Sequence, residues 1–206
     1  MSRLSEKPAA TGDVAAIAAP GFTREQRHLL LGIARAAIAS RLIGDPLADS
    51  PPAAASSFAA LTEPRGVFTT IYLGGELRGC VGYALPVRPL FRAVAETARA
   101  AAFEDSRFQP VTPLEAPGLQ ISLSVLSSLF PITADEVEVG RHGLLISSGT
   151  RRGLLLPQVP VERGWNRETF LAQTCHKAGL PLDAWHKSAT IEAFTAELFG
   201  DEADPV

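Results

Sequence analysis

The run Leu77-Arg78-Gly79-Cys80-Val81-Gly82 sets a thiol between two glycines and places an arginine two residues before it. Cysteine is a nucleophile that needs little activation near neutral pH, and a neighbouring guanidinium favours its thiolate form. In a strand the side chains alternate between faces. Leu77 and Val81 are therefore expected toward a core, with Arg78, Cys80 and bare Gly82 on the opposite face. Gly79 and Gly82 let another backbone or a ligand come close, and the planar fork of Arg78 suits a carboxylate or a phosphate. A second reading stands beside this one, because free cysteine commonly serves as a small buried hydrophobe. Cys175 is the internal contrast: Leu171, Thr174, Cys175 and Ala178 fall on one helical face, which predicts a core position.

Other candidates lie further along the chain. Asp105 and Arg107 follow a predicted helix in Glu104-Asp105-Ser106-Arg107-Phe108. Arg107 either joins Arg78 in holding an anion or closes a salt bridge with Asp105 or Glu104 at the helix end, and Asp105 equally suits a turn. His142 precedes Gly143 just before a predicted strand. Brought near Cys80, it would complete a thiolate–imidazolium couple; otherwise it is a hydrogen-bonded structural histidine. His28, His176 and His186 carry no partner signal. No Cys-x-x-Cys knuckle, P-loop, dinucleotide fingerprint or Ser/His/Asp order is present, so neither a metal nor a cofactor is expected.

The elements that must position these groups are legible from periodicity. Thr23-Arg24-Glu25-Gln26 is a capping-box pattern, and Leu30, Ile33, Ala34, Ala37 and Ile38 then recur at helical spacing. Residues 45–63, rich in proline, alanine and serine, read as a loop. Val67 to Leu73 reads as a strand, Gly74-Gly75 as a two-residue hairpin turn, and Glu76 to Tyr83 as the returning strand that carries the cysteine. Pro89 to Phe103 is a predicted amphipathic helix. Gln120 to Leu126 alternates as a strand, and Leu144–Ile146 with Gly153–Leu156 suggests a second hairpin. Asn166 caps a helix running to Ala178, and Ile191 to Phe199 reads as a last strand-like or mixed segment. Hairpin-linked strands with interspersed helices predict an α+β fold, with a largely antiparallel sheet and flanking helices.

Composition bounds the remainder. A chain of 206 residues fits one domain, or one domain with a small subdomain. A net charge of −3 argues against a strong nucleic-acid footprint. Two cysteines cannot make a disulfide framework, and no apolar run approaches the roughly 18 residues of a membrane span. Residues 1–20 read as an alanine-rich disordered tail and not a signal peptide, residues 21–199 as the folded domain, and residues 200–206 as an acidic tail. A cytoplasmic protein is the expectation.

Five blocks in order resemble the AMMECR domain family, known in bacteria and archaea as protein A of the AmmeMemoRadiSam system. They are Leu77–Gly82, Ala101–Phe108, Arg141–Leu144, Leu156–Val159 and Gly164-Trp165. The resemblance implies a family whose biochemical activity is not established. It also implies two partners encoded nearby, a Memo-like protein and a radical S-adenosylmethionine enzyme. Three functional readings follow. In the first, Cys80 is a nucleophile or covalent carrier, Arg78 an anion holder and His142 a base. In the second, the same cleft, framed by Arg78, Gly79, Gly82, Asp105 and Arg107, docks a partner protein or a small anion without catalysis. In the third, the motif serves packing alone.

Overall fold

The computed structural model describes residues 21–47 and 52–201. In chain order the described elements are α1 (Arg24–Leu42), α2 (Ala53–Ser56), α3 (Ala59–Thr62), β1 (Val67–Leu73), β2 (Glu76–Tyr83), α4 (Leu90–Phe103), β3 (Leu119–Leu126) and β4 (Phe130–Pro131). Then come β5 (Gly143–Ser148), β6 (Arg151–Leu155), α5 (Gln158–Glu162), α6 (Arg167–Lys177), β7 (Thr190–Phe194) and β8 (Ala196–Gly200). The strands form two four-stranded antiparallel sheets, of order β2-β1-β3-β8 and β4-β7-β5-β6, so the fold is α+β.

The first sheet is built as its sequence dictates. Thr23 and Gln26 close a capping box at the start of α1, which buries Leu30, Ile33, Ala34, Ala37 and Ile38. Gly74 and Gly75 have φ of +60° and +83°, the two left-handed positions that a tight turn joining right-twisted strands demands. Alternation sends Val67, Thr69 and Ile71 of β1, and Ile121, Leu123 and Val125 of β3, into one core with α1 and α4. The buried hydroxyls of Thr69 and Thr97 satisfy each other at 2.8 Å. Both long helices therefore cover one face of this sheet.

The second sheet packs on α6 around Leu144, Ile146, Phe170, Leu171 and Cys175. The chain crosses to it after Leu126 and returns at Thr195. The two crossings are tied together, since Ser127 N–H donates to Thr195 O at 2.8 Å and Thr195 N–H to Ser127 Oγ at 3.0 Å. Leu126 and Phe194 are buried at this junction.

Three details go beyond the sequence reading. The stretch read as a loop contains α2 and α3, anchored by buried Ala55 and Leu61. The strand-like or mixed segment from Ile191 to Phe199 resolves into β7 and β8 in different sheets, broken at Thr195. Strand β8 continues through Gly200, and Asp201 is held by Arg35 while it exchanges bonds with the Ile121 backbone. Residues 1–20 and 202–206, read as tails, lie outside the described residues.

Candidate functional site

The site begins with a bulge. Leu73 pairs with Glu76 and Tyr72 with Leu77, but Ile71 pairs with Gly79, leaving Arg78 as the extra residue on β2. Beyond it Thr70 faces Cys80 and Phe68 faces Gly82. From Gly79 onward the alternation follows the sequence expectation: Val81 packs against the first core, and Cys80 and Gly82 lie on the other face. Before the bulge the phase is reversed. Leu77 is 41% exposed and does not enter the core. Gly79 is where α4 meets the strand, and a Cβ there would stand 2.0 Å from Ala101 O.

The bulge hands Arg78 to the segment after α4. Its Nε donates to Glu115 Oε1 at 3.0 Å, and its Nη1 to Gln109 O at 2.6 Å. Glu115 also accepts from the Thr112 amide and hydroxyl, each at 2.8 Å. Arg78 above all, with those Thr112 donors, holds the Glu115 carboxyl down at about 2. The Arg78 guanidinium is thus spent on its own fold.

Asp105 and Arg107 finish the outer edge of β2. The Cys80 amide donates to Asp105 Oδ2 at 2.9 Å, and Arg107 Nη2 donates to Cys80 O at 3.4 Å. Together the two side chains do what a neighbouring strand would do, one accepting and one donating, and they close an edge that β2 would otherwise expose. They are joined by an ion pair of 2.7 Å, and Asp105 Oδ1 also takes the Arg107 amide at 3.2 Å. Arg107, followed by the Cys80 amide, holds the Asp105 carboxyl well below the usual carboxylate range.

The thiol itself lies on the open face. Cys80 is half-buried and Thr70 Oγ1 donates to its Sγ at 3.4 Å. Register places Cys80, Thr70, Ser122 and Gly200 in one row across the four strands, with Gly82, Phe68, Ser124 and Leu198 in the next. A Cβ on Gly82 would fall 2.3 Å from the Phe68 ring, so the bare residue is what lets that ring lie down on β2.

His142 sits elsewhere. It is 6% exposed beside the second sheet, its Nδ1 accepts the Glu138 amide at 3.1 Å, and its ring stands edge-on to Phe130 at 5.9 Å. Burial lowers its pKa. The structure therefore brings together Arg78, Gly79, Cys80, Gly82, Asp105 and Arg107, while His142 bonds with Glu138 and packs on Phe130 of the other sheet. Cys175 is fully buried, and burial pushes its thiol pKa up. No group of three or more His, Cys, Asp or Glu among the described residues could hold a metal ion. No helix among them is long and apolar enough to cross a membrane.

Sequence reasoning missed Glu115, Thr112, Thr70 and Phe68. The first two carry a signal, the Thr-x-x-Glu spacing of a capping box. Thr70 was hidden by the bulge, since a regular hairpin turning at Gly74-Gly75 would have set it opposite Gly79.

The AMMECR1 family matches residues 31–199. A protein of Thermococcus gammatolerans is 43% identical over 194 residues, covering 86% of this chain and 91% of its own. One from Methanopyrus kandleri is 41% identical over 193 residues, covering 88% and 91%. The crystal structure of an uncharacterised protein from Pyrococcus horikoshii superposes with a TM-score of 0.66 at 39% identity, over 84% of this chain and 90% of that one. This chain belongs to the AMMECR1 family.

Proposed function

We propose that this chain is a binding module whose docking surface is the open face of the first sheet around Cys80, working within a modification system. The observation that carries this reading is the internal use of the polar groups. Arg78 is bonded to Glu115, and Asp105 and Arg107 are bonded to each other and to the Cys80 backbone. They form a rigid frame and not a set of free catalytic hands. What remains for a partner is a shallow surface of small side chains, Cys80, Thr70 and Ser122, backed by a packed core. The family resemblance suggests the partners, a Memo-like protein and a radical S-adenosylmethionine enzyme.

A second reading keeps Cys80 as a reactive thiol. The observation that favours it is a half-buried sulfur on a residue whose own backbone carbonyl takes the Arg107 guanidinium at 3.4 Å. A titration of the purified chain against the Memo-like protein of the same genome separates the two. Under the binding reading Cys80→Ser binds as the wild type does, and Ser122→Arg, which raises a bulky charge in the row, abolishes binding. Loss of binding or of system activity in Cys80→Ser, with the melt unchanged, selects the reactive thiol instead.

A further inference from the structure

Between the open face of the first sheet and the edge of the second lies a cleft of about 380 Å³, lined by Phe68, Ala84, Leu154, Leu156, Val159 and the cations Arg152 and Lys177. That volume suits a small molecule. Its walls are apolar, and no acidic side chain lines it. From this combination we infer that the cleft takes a small amphipathic anion: a flat apolar body lying on Phe68, with one carboxylate or phosphate held by Arg152 and Lys177.

The two cations are not used by the fold. Neither makes an ion pair or a side-chain hydrogen bond among the described residues. Their neighbours show the contrast. Arg151 donates to Gly179 O at 3.0 Å, pinning β6 to the end of α6. The last carbonyls of α6 are already capped by the amides of Ala178, Gly179 and Leu180, so the Lys177 ammonium has no capping duty. Both cations border the same apolar wall, so an anion bound there gains charge-assisted hydrogen bonds. The opposite wall is prepared for a flat body, since Gly82 leaves room for the Phe68 ring to lie against the strand.

The inference rests on the open sheet face being the binding face, because Gly82 and Cys80 are next neighbours on that face of β2. Their Cα atoms are spaced by about 7 Å. An occupant lying on Phe68, whose ring covers Gly82, would border the thiol, and this gives an independent readout.

The test titrates the full chain calorimetrically with 2-naphthoate, 1-naphthyl phosphate and the neutral 2-naphthamide, and follows Cys80 alkylation by mass spectrometry. At least one anion is expected to bind one-to-one and about tenfold or more tighter than the amide. The better anion names the headgroup. Arg152→Gln with Lys177→Gln, both exposed positions, should remove that advantage and leave amide binding unchanged, whereas Phe68→Leu should weaken all three. Bound anion should slow Cys80 alkylation in the wild type. Equal binding of anions and amide, insensitivity to the charge variants, or no binding by any probe overturns the inference. If the probes shade Cys80 without any charge dependence, the binding face survives and the anion does not. If an anion binds through Arg152 and Lys177 without shading Cys80, the anion site survives and the sheet-face reading fails.

Discussion

Asp105→Asn probes the frame of the site directly. Asp105 accepts the Cys80 amide at 2.9 Å, the Arg107 amide at 3.2 Å and two guanidinium bonds from Arg107. Its side chain is only 7% exposed, so water cannot replace these partners fully. The bond from the Cys80 amide is charge-assisted and worth about 1.5–3 kcal/mol net. The Arg107 pair, with its guanidinium largely in solvent, adds at most about 1 kcal/mol. Asparagine keeps one acceptor oxygen but must aim its NH₂ at a donor, so the loss is about 2–3 kcal/mol. For a chain of this length each kcal/mol moves Tm by about 2–4 °C, and the variant should melt several degrees lower at neutral pH. The sign with pH follows from the depressed carboxyl. Its contribution is fully present above the unfolded pKa of about 3.9 and is lost as pH falls through the lower folded value, so the gap between wild type and variant should narrow in acid. Paired thermal melts from pH 7 to pH 2.5 check this. A gap below 1 °C at pH 7, or one that widens in acid, refutes the argument.

Gly79→Ala places a Cβ 2.0 Å from the backbone oxygen of Ala101. Backbone cannot yield as a side chain does, so the cost should reach or exceed the upper end of ordinary overpacking, about 3 kcal/mol, seen as a large Tm loss or insoluble expression. His142 is buried and its Nδ1 is an acceptor, so protonation breaks the bond from the Glu138 amide. With its folded pKa lowered below the ordinary 6.5, the unfolded chain takes up the proton first. Stability should therefore fall as pH drops through 6.5 toward the folded value, and His142→Phe should flatten that part of a denaturation-midpoint profile.

Much of the architecture was written locally. The α1 capping box, the Gly74-Gly75 turn and the alternation in β1 and β3 each obey a short-range rule, and the structure follows them. The site was legible in part. Cys80 and Gly82 share a face because alternation holds between them, and Asp105 with Arg107 could be paired from their spacing. Arg78 could not be placed, because the bulge carries no local sequence signal and lies where Gly79 meets Ala101 of α4, a contact between residues distant in sequence. The placement of His142 against Glu138 and Phe130 was hidden for a related reason. The chain changes sheets at Leu126 and again at Thr195, and neither crossing carries a break of glycine or proline that would announce it.

The central claim is that Cys80 belongs to a preformed docking surface and works without His142. The most direct measurement is the rate of Cys80 alkylation from pH 5 to pH 9, by mass spectrometry, in the wild type and in His142→Ala, with buried Cys175 as the internal reference. Cys80 should label far faster than Cys175, and the two proteins should give superimposable Cys80 profiles. A Cys80 profile that shifts when His142 is removed would overturn this, by revealing a thiol–imidazole couple.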